Sequence, residues 1–150
     1  MTDHCTTDKE AVQLVREMVR RAGHEIRNAL SGVAVNVEVV HGRAERGQPG
    51  KDIASFADRA RLQVGVATAV GDGILSLVNS VLAATADGTL KSASGNGAGS
   101  QIELMIYGDR RDVVLADIER LASLIGVSVE QHDQRVILTV LPEGKSHSKD

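Results

Sequence analysis

The sequence predicts an α+β fold: a long antiparallel helical hairpin forming a dimeric four-helix bundle, followed by a small β-α-β-β subdomain. Three observations carry that prediction. Apolar residues recur at steps of three and four from Ala11 to Ala44 and again from Ile53 to Leu82. A breaker cluster, Gly47-Gln48-Pro49-Gly50, separates the two runs. Beyond a Gly- and Ser-rich stretch, short alternating runs surround one further helical run.

Thr7-Asp8-Lys9-Glu10 has the capping-box spacing, so the first helix is expected to start at Thr7 and run to about Arg46. Its inward stripe is Ala11, Val15, Met18, Ala22, Ile26, Ala29, Val33, Val37, Val40 and Ala44. After the turn, Asp52 is the expected N-cap of a second helix, which ends near Ala86. Gly65, Gly71 and Gly73 lie within it, each costing about 1 kcal/mol against alanine. They mark either a bend or the close approach of another backbone.

Residues 87–101 are expected to be a flexible linker, and residues 102–142 a compact unit. Within that unit Ile102–Tyr107 alternates like a strand and Asp112–Ile125 reads as a helix stopped by Gly126. Val127–Glu130 and Arg135–Leu141 form a hairpin turning at His132-Asp133-Gln134. Residues 143–150 are a polar tail. One hairpin cannot hide two long apolar stripes, so either a second copy or the C-terminal unit must cover them.

Composition removes several function classes. Hydrophobic residues make up 42% of the chain but aromatics only 1%, so the core is aliphatic and no base-stacking surface is expected. The net charge of −3, with both signs interspersed, gives no basic face for nucleic acid. Cys5 is the single cysteine, which excludes an intrachain disulfide and fits a reducing compartment. Cys5 and His4 lie in an N-terminus expected to be frayed, and two ligands are too few for zinc. Met1–Glu10 is too polar for a signal peptide, and Asp72 and Asn79 interrupt the longest apolar stretch. The expectation is a soluble cytoplasmic protein with no membrane contact.

At about 100° per residue, His24 falls nearly opposite the inward stripe, with Glu17, Arg20, Asn28 and Ser31 on the same outer face. Solvated imidazoles are mostly neutral at pH 7, and the neutral ring is the nucleophile. An outward position also admits a bulky phosphoryl donor in line. His41, His132 and His147 have no spacing that implies metal or catalysis.

The string His24-Glu25-Ile26-Arg27-Asn28-Ala29-Leu30-Ser31-Gly32 resembles the H-box of sensor histidine kinases, His-Glu-hydrophobic-Arg-Asn/Thr-Pro-Leu. Ala29 stands where that family usually has proline, which removes a helix kink. Ile74–Leu82 is similar to the end of the family's dimerisation and phosphotransfer domain, so the resemblance spans roughly residues 8–90. It implies that His24 is the phospho-acceptor and Glu25 the general base. Asn28 would orient water in phosphatase-competent members, while Arg20, Arg27 and Ser31 would contact phosphate or partner.

The family's nucleotide-binding domain is only partly echoed. Ala116–Gly126 and Arg135–Pro142 resemble its final helix and closing strands. There is no magnesium box with its Asn, and no Asp-x-Gly-x-Gly box. Gly95-Asn96-Gly97-Ala98-Gly99 precedes the strand that a nucleotide lid would follow, and reads as linker. About 50 residues are too few to position ATP.

The resemblance therefore implies a histidine phosphotransferase without autokinase activity, relaying phosphoryl groups to and from response-regulator receiver domains. It would have no cofactor of its own, with Mg2+ held by the regulator. The alternatives are a non-catalytic, pseudokinase-like dimeric scaffold binding a histidine kinase or regulator, and regulator dephosphorylation through Asn28.

Overall fold

The computed structural model describes the backbone of residues 3–95 and 99–142, and within them the side chains of residues 9–51, 53–93 and 99–142. The element order is α1 (Asp3–Glu45), α2 (Gly50–Ala86), β1 (Lys91–Gly95), β2 (Gly99–Met105), α3 (Arg111–Ile125), β3 (Val127–His132) and β4 (Arg135–Val140). The chain is thus α+β, with two long N-terminal helices followed by a small antiparallel sheet and its helix.

α1 has 43 residues, and at 1.5 Å per residue is about 64 Å long. It starts four residues before Thr7 and includes Cys5, because neither Gly nor Pro interrupts Asp3–Thr7. The side chains of His4, Cys5 and Thr7, the whole expected tail 143–150, and His147 within it, lie outside the described residues. With alanine at position 29 the helix continues unbroken through the motif.

Gly47 adopts φ 65° after α1, and α2 begins at Gly50 with Pro49, not Asp52, as its N-cap. Proline suits a helix start because its missing N–H would be unpaired there anyway. α1 and α2 pack along their lengths, and Asn36 ties them together. Its amide donates to the Gly32 carbonyl at 2.8 Å and to Gln63 Oε1 at 3.0 Å. A buried, satisfied amide of this kind fixes helix register.

The expected linker is partly sheet. β1 pairs antiparallel with β2, Ser92 opposite Ile102, so the C-terminal unit is β-β-α-β-β and starts near Lys91. Residues 91–95 and 99–101, assigned to a linker from composition, are held by ladder hydrogen bonds that need no apolar side chains. The strand order is β1-β2-β4-β3, all antiparallel. β3 and β4 join through Asp133 in the left-handed region at φ 53°, which aspartate tolerates. Gly126 caps α3 at φ 68°, ψ 40°, its N–H donating to the Ala122 carbonyl, as the sequence indicated.

One face of the sheet packs on the helices. Ile102, Leu104, Val136 and Leu138 point inward against Ile118 and Leu121. That cluster continues into Leu14 and Met18 of α1 and Leu77 of α2. The opposite face is mixed, with Met105 and Ile137 beside Glu103, which pairs to Lys91 at 3.5 Å and to Arg135 at 3.2 Å. The C-terminal unit therefore covers one end of the hairpin, leaving Leu30, Val35, Val37, Leu62 and Val64 exposed beyond it.

Residues 53–86 of α2 are long and apolar enough to cross a bilayer by length and composition alone. In this fold Val70, Leu77 and Ala84 of this segment are buried in the core, while Leu62, Val64, Leu75 and Leu82 stay exposed.

The three glycines of α2 differ. A Cβ on Gly73 would lie 2.5 Å from Leu121 Cβ and 2.9 Å from the Asp117 carbonyl, so Gly73 is where α3 approaches α2. Gly65 and Gly71 meet nothing within 4 Å. Gly73→Ala gains about 1 kcal/mol in helix propensity, yet clashes with a Cβ and a backbone oxygen, overpacking that costs about 1–3 kcal/mol or more. The clash wins. Denaturant titration should show Gly73→Ala destabilised and Gly65→Ala slightly stabilised; a stabilised Gly73→Ala would refute the close approach.

Candidate functional site

His24 projects from the middle of α1 just beyond the C-terminal unit. It is turned about 200° from Ala22, which is fully buried, and its own side chain is exposed. Asn28 follows one turn later and Ser31 two turns later; both are exposed on the same face. Arg20 precedes His24 by one turn. These four share one outward strip.

The other two candidates flank that strip. Glu25 is half-buried and lies about 100° around the helix from His24. Arg27 is exposed and lies about 60° around in the opposite direction. The six residues thus form a histidine with a carboxylate on one flank and a guanidinium on the other, not a closed pocket.

Sequence reasoning missed the feature that anchors this strip. Glu17 accepts a bidentate pair from Arg20, Nε and Nη2 both at 2.9 Å, and a third bond from Arg21 Nε at 2.8 Å. Arg21 then donates through Nη2 to the Leu141 carbonyl at 2.8 Å and through Nη1 to the Ile125 carbonyl at 3.4 Å. Those carbonyls close α3 and β4, so Arg21 latches the C-terminal ends of α3 and β4 onto α1, three residues before His24. Arg20, expected to contact phosphate or partner, pairs with Glu17. No local pattern marks Arg21, because its acceptors are distant backbone oxygens.

The hydrogen bonds from Arg20, then those from Arg21, lower the Glu17 carboxyl from 4.5 to about 2. A depressed carboxylate stabilises the fold above its unfolded pKa, and that stability is lost as pH falls through the folded value. Solvent screening limits the effect, since Glu17 retains 31% exposure. Glu17→Gln should therefore cost roughly 1 kcal/mol near pH 7, with the difference from wild type shrinking between about pH 4.5 and 2. Equal stability of the two proteins at pH 7 would contradict the latch.

Two exposed apolar lines mark a second feature of the hairpin. Val12, Val19, Leu30 and Val37 fall within about 20° of one another around α1. Exposed Val64 and Leu82, with half-buried Val78, fall within about 40° on α2. A groove of about 320 Å³, lined by Val12 and Val15 of α1 and Val78, Val81 and Leu82 of α2, shows that both lines face the same side. His24 lies about 120° from the α1 line, so covering the seam leaves the imidazole open. Among the described residues, no three His, Cys, Asp or Glu side chains group as metal ligands. Comparison with known protein families, curated proteins and solved structures gave no match for this chain.

Proposed function

We propose that this chain is a cytoplasmic histidine phosphotransferase: a homodimer, paired through the apolar seam into a four-helix bundle, that exchanges phosphoryl groups with receiver-domain aspartates through His24. The observation that carries the reading is His24 exposed on a continuous helix, with Asn28 and Ser31 on its strip and the apolar seam turned away from it. A surface imidazole admits a receiver in line, which a sealed pocket would not.

In the forward direction an imidazole nitrogen attacks the phosphorus of an aspartyl phosphate. The P–N bond forms as the P–O bond to aspartate breaks, and the aspartate leaves as a carboxylate. The ring then bears a positive charge until its other N–H proton departs, and Glu25, on the half-buried flank, is the proton acceptor. Arg27, with Arg20 when exchanged from Glu17, offsets the phosphoryl charge, and Ser31 contacts the partner surface. Mg2+ belongs to the receiver's acidic pocket. Asn28, one turn from His24, orients a water against a docked aspartyl phosphate in this reading, so hydrolysis can share the docked complex.

Incubation with ATP alone and with a panel of phosphorylated receivers tests this reading. Label should pass from receivers and not from ATP. Asn28→Ala should leave labelling intact while slowing receiver dephosphorylation. Label from ATP alone would overturn the reading. Receivers that bind without transferring label would favour the scaffold.

A further inference from the structure

A second cleft lies on the opposite side of α2 from α1, and it has nothing to do with His24. α2 and α3 run antiparallel there: Gly73 meets Leu121 and Asp117, Ser76 Oγ donates to Asp117 Oδ2 at 2.9 Å, and Ser80 and Ala83 face Val113 and Arg110 across the groove. The cleft encloses about 750 Å³, within the range of small-ligand sites. Two of the chain's large exposed apolar side chains gather in it, Val113 at 52% and Tyr107 at 50% exposure, and Leu75 at 65% stands at its rim, about 20° around α2 from Val64 and Leu82.

Its polar groups are ordered along its length. By the antiparallel course of α2 and α3, Asp72 and Asp117 belong to one end of the cleft and Arg110 to the other, with Asn79 between them along α2. Asp117 is partly satisfied by Ser76. Neither Asp72 nor Arg110 has a side-chain hydrogen bond or ion pair among the described residues, so the cleft keeps an unpaired charge of opposite sign at each end. From Asp72 to Ala83 is eleven residues of helix, about 16 Å.

We propose that this cleft binds a short apolar peptide with free termini. The ammonium end meets Asp72 and Asp117, a central peptide group meets the Asn79 amide, and the carboxylate meets Arg110. Leu75, Val113 and Tyr107 take the apolar side chains. A tetrapeptide in extended form spans about 13 Å, which fits between the two charged ends. Single ions lack the length and apolar body for this site, and folded proteins present such paired termini rarely.

The proposal does not depend on phosphotransfer, and calorimetry on the full chain separates the two. The probe is an alanine–leucine tetrapeptide with free termini, compared with its N-acetylated and C-amidated forms. Binding below about 1 mM is expected. Amidation of the peptide and Arg110→Gln should each weaken it at least about fivefold, and together no more than either alone. Acetylation and Asp72→Asn should behave as the matching pair at the other end. His24→Ala should bind the peptide as wild type does. Circular dichroism on each variant checks the fold, since both substituted side chains are exposed. Equal affinity for the doubly blocked peptide, indifference to both substitutions, or no heat up to about 10 mM would each overturn the proposal.

Discussion

His24→Ala is expected to abolish phosphoryl acceptance from receivers while leaving the fold and the oligomeric state of the protein unchanged. The imidazole makes no buried contact, so its removal creates no cavity. Alanine is the better helix former by roughly 0.5 kcal/mol, and stability should hold or rise slightly. Loss of label therefore reports chemistry, not unfolding. A phosphoryl acceptor has no substitute within one turn: Asn28 and Arg20 are not nucleophiles, and Ser31 is two turns away, about 10 Å along the axis. The expected fall is to background, measured as acid-labile label after incubation with a phosphorylated receiver. Receiver binding by His24→Ala should persist, because in the proposed complex docking rests on the whole strip and its flanks. Full labelling of the variant would place the acceptor elsewhere.

Charging the seam is the second large effect. Val19 and Leu30 lie within about 20° of each other on the exposed α1 line, at 38% and 52% exposure. If a second copy covers them, Val19→Asp with Leu30→Glu buries two carboxylates per chain with no partner. Dissociation of the dimer should increase at least about a hundredfold, seen as a shift to monomer mass in sedimentation or light scattering. Val35→Glu is the control. Val35 is exposed at 64% but lies about 140° from the seam, on the side of His24. Its substitution should leave the mass unchanged. A wild-type protein that sediments as a monomer would remove the bundle from the proposal.

The parts of this fold that were legible in the sequence are those fixed by neighbours in the chain. Stripe periodicity, the Gly47–Gly50 breaker and the Gly126 stop depend on local geometry, and each lies within a few residues of its expected position. The histidine strip was legible for the same reason, since its members are one or two helical turns apart. What was not legible depends on distant partners. Lys91–Gly95, with the composition of a linker, becomes a strand only because β2 supplies its ladder. Gly73 cannot be told from Gly65 or Gly71 until α3 lies against it. Arg21 finds its acceptors 104 and 120 residues along the chain. The helix start was misjudged differently: a permissive capping box at Thr7 does not stop a helix when nothing upstream breaks it.

The inward faces also divided in a way that periodicity alone does not reveal. Ala11, Met18, Ala22 and Ala29 are buried, while Val37, from the same stripe, is 53% exposed. The stripe is wide enough to serve two neighbours, α2 with the C-terminal unit on one side and the seam on the other. Only the three-dimensional arrangement separates them.

The most direct measurement is the phosphorus NMR spectrum of the wild-type protein after incubation with a phosphorylated receiver in the absence of ATP. The expected result is a phosphoramidate resonance that is acid-labile and disappears in His24→Ala. A spectrum without a P–N resonance, or one that is unchanged by His24→Ala, would contradict His24 as the phosphoryl acceptor.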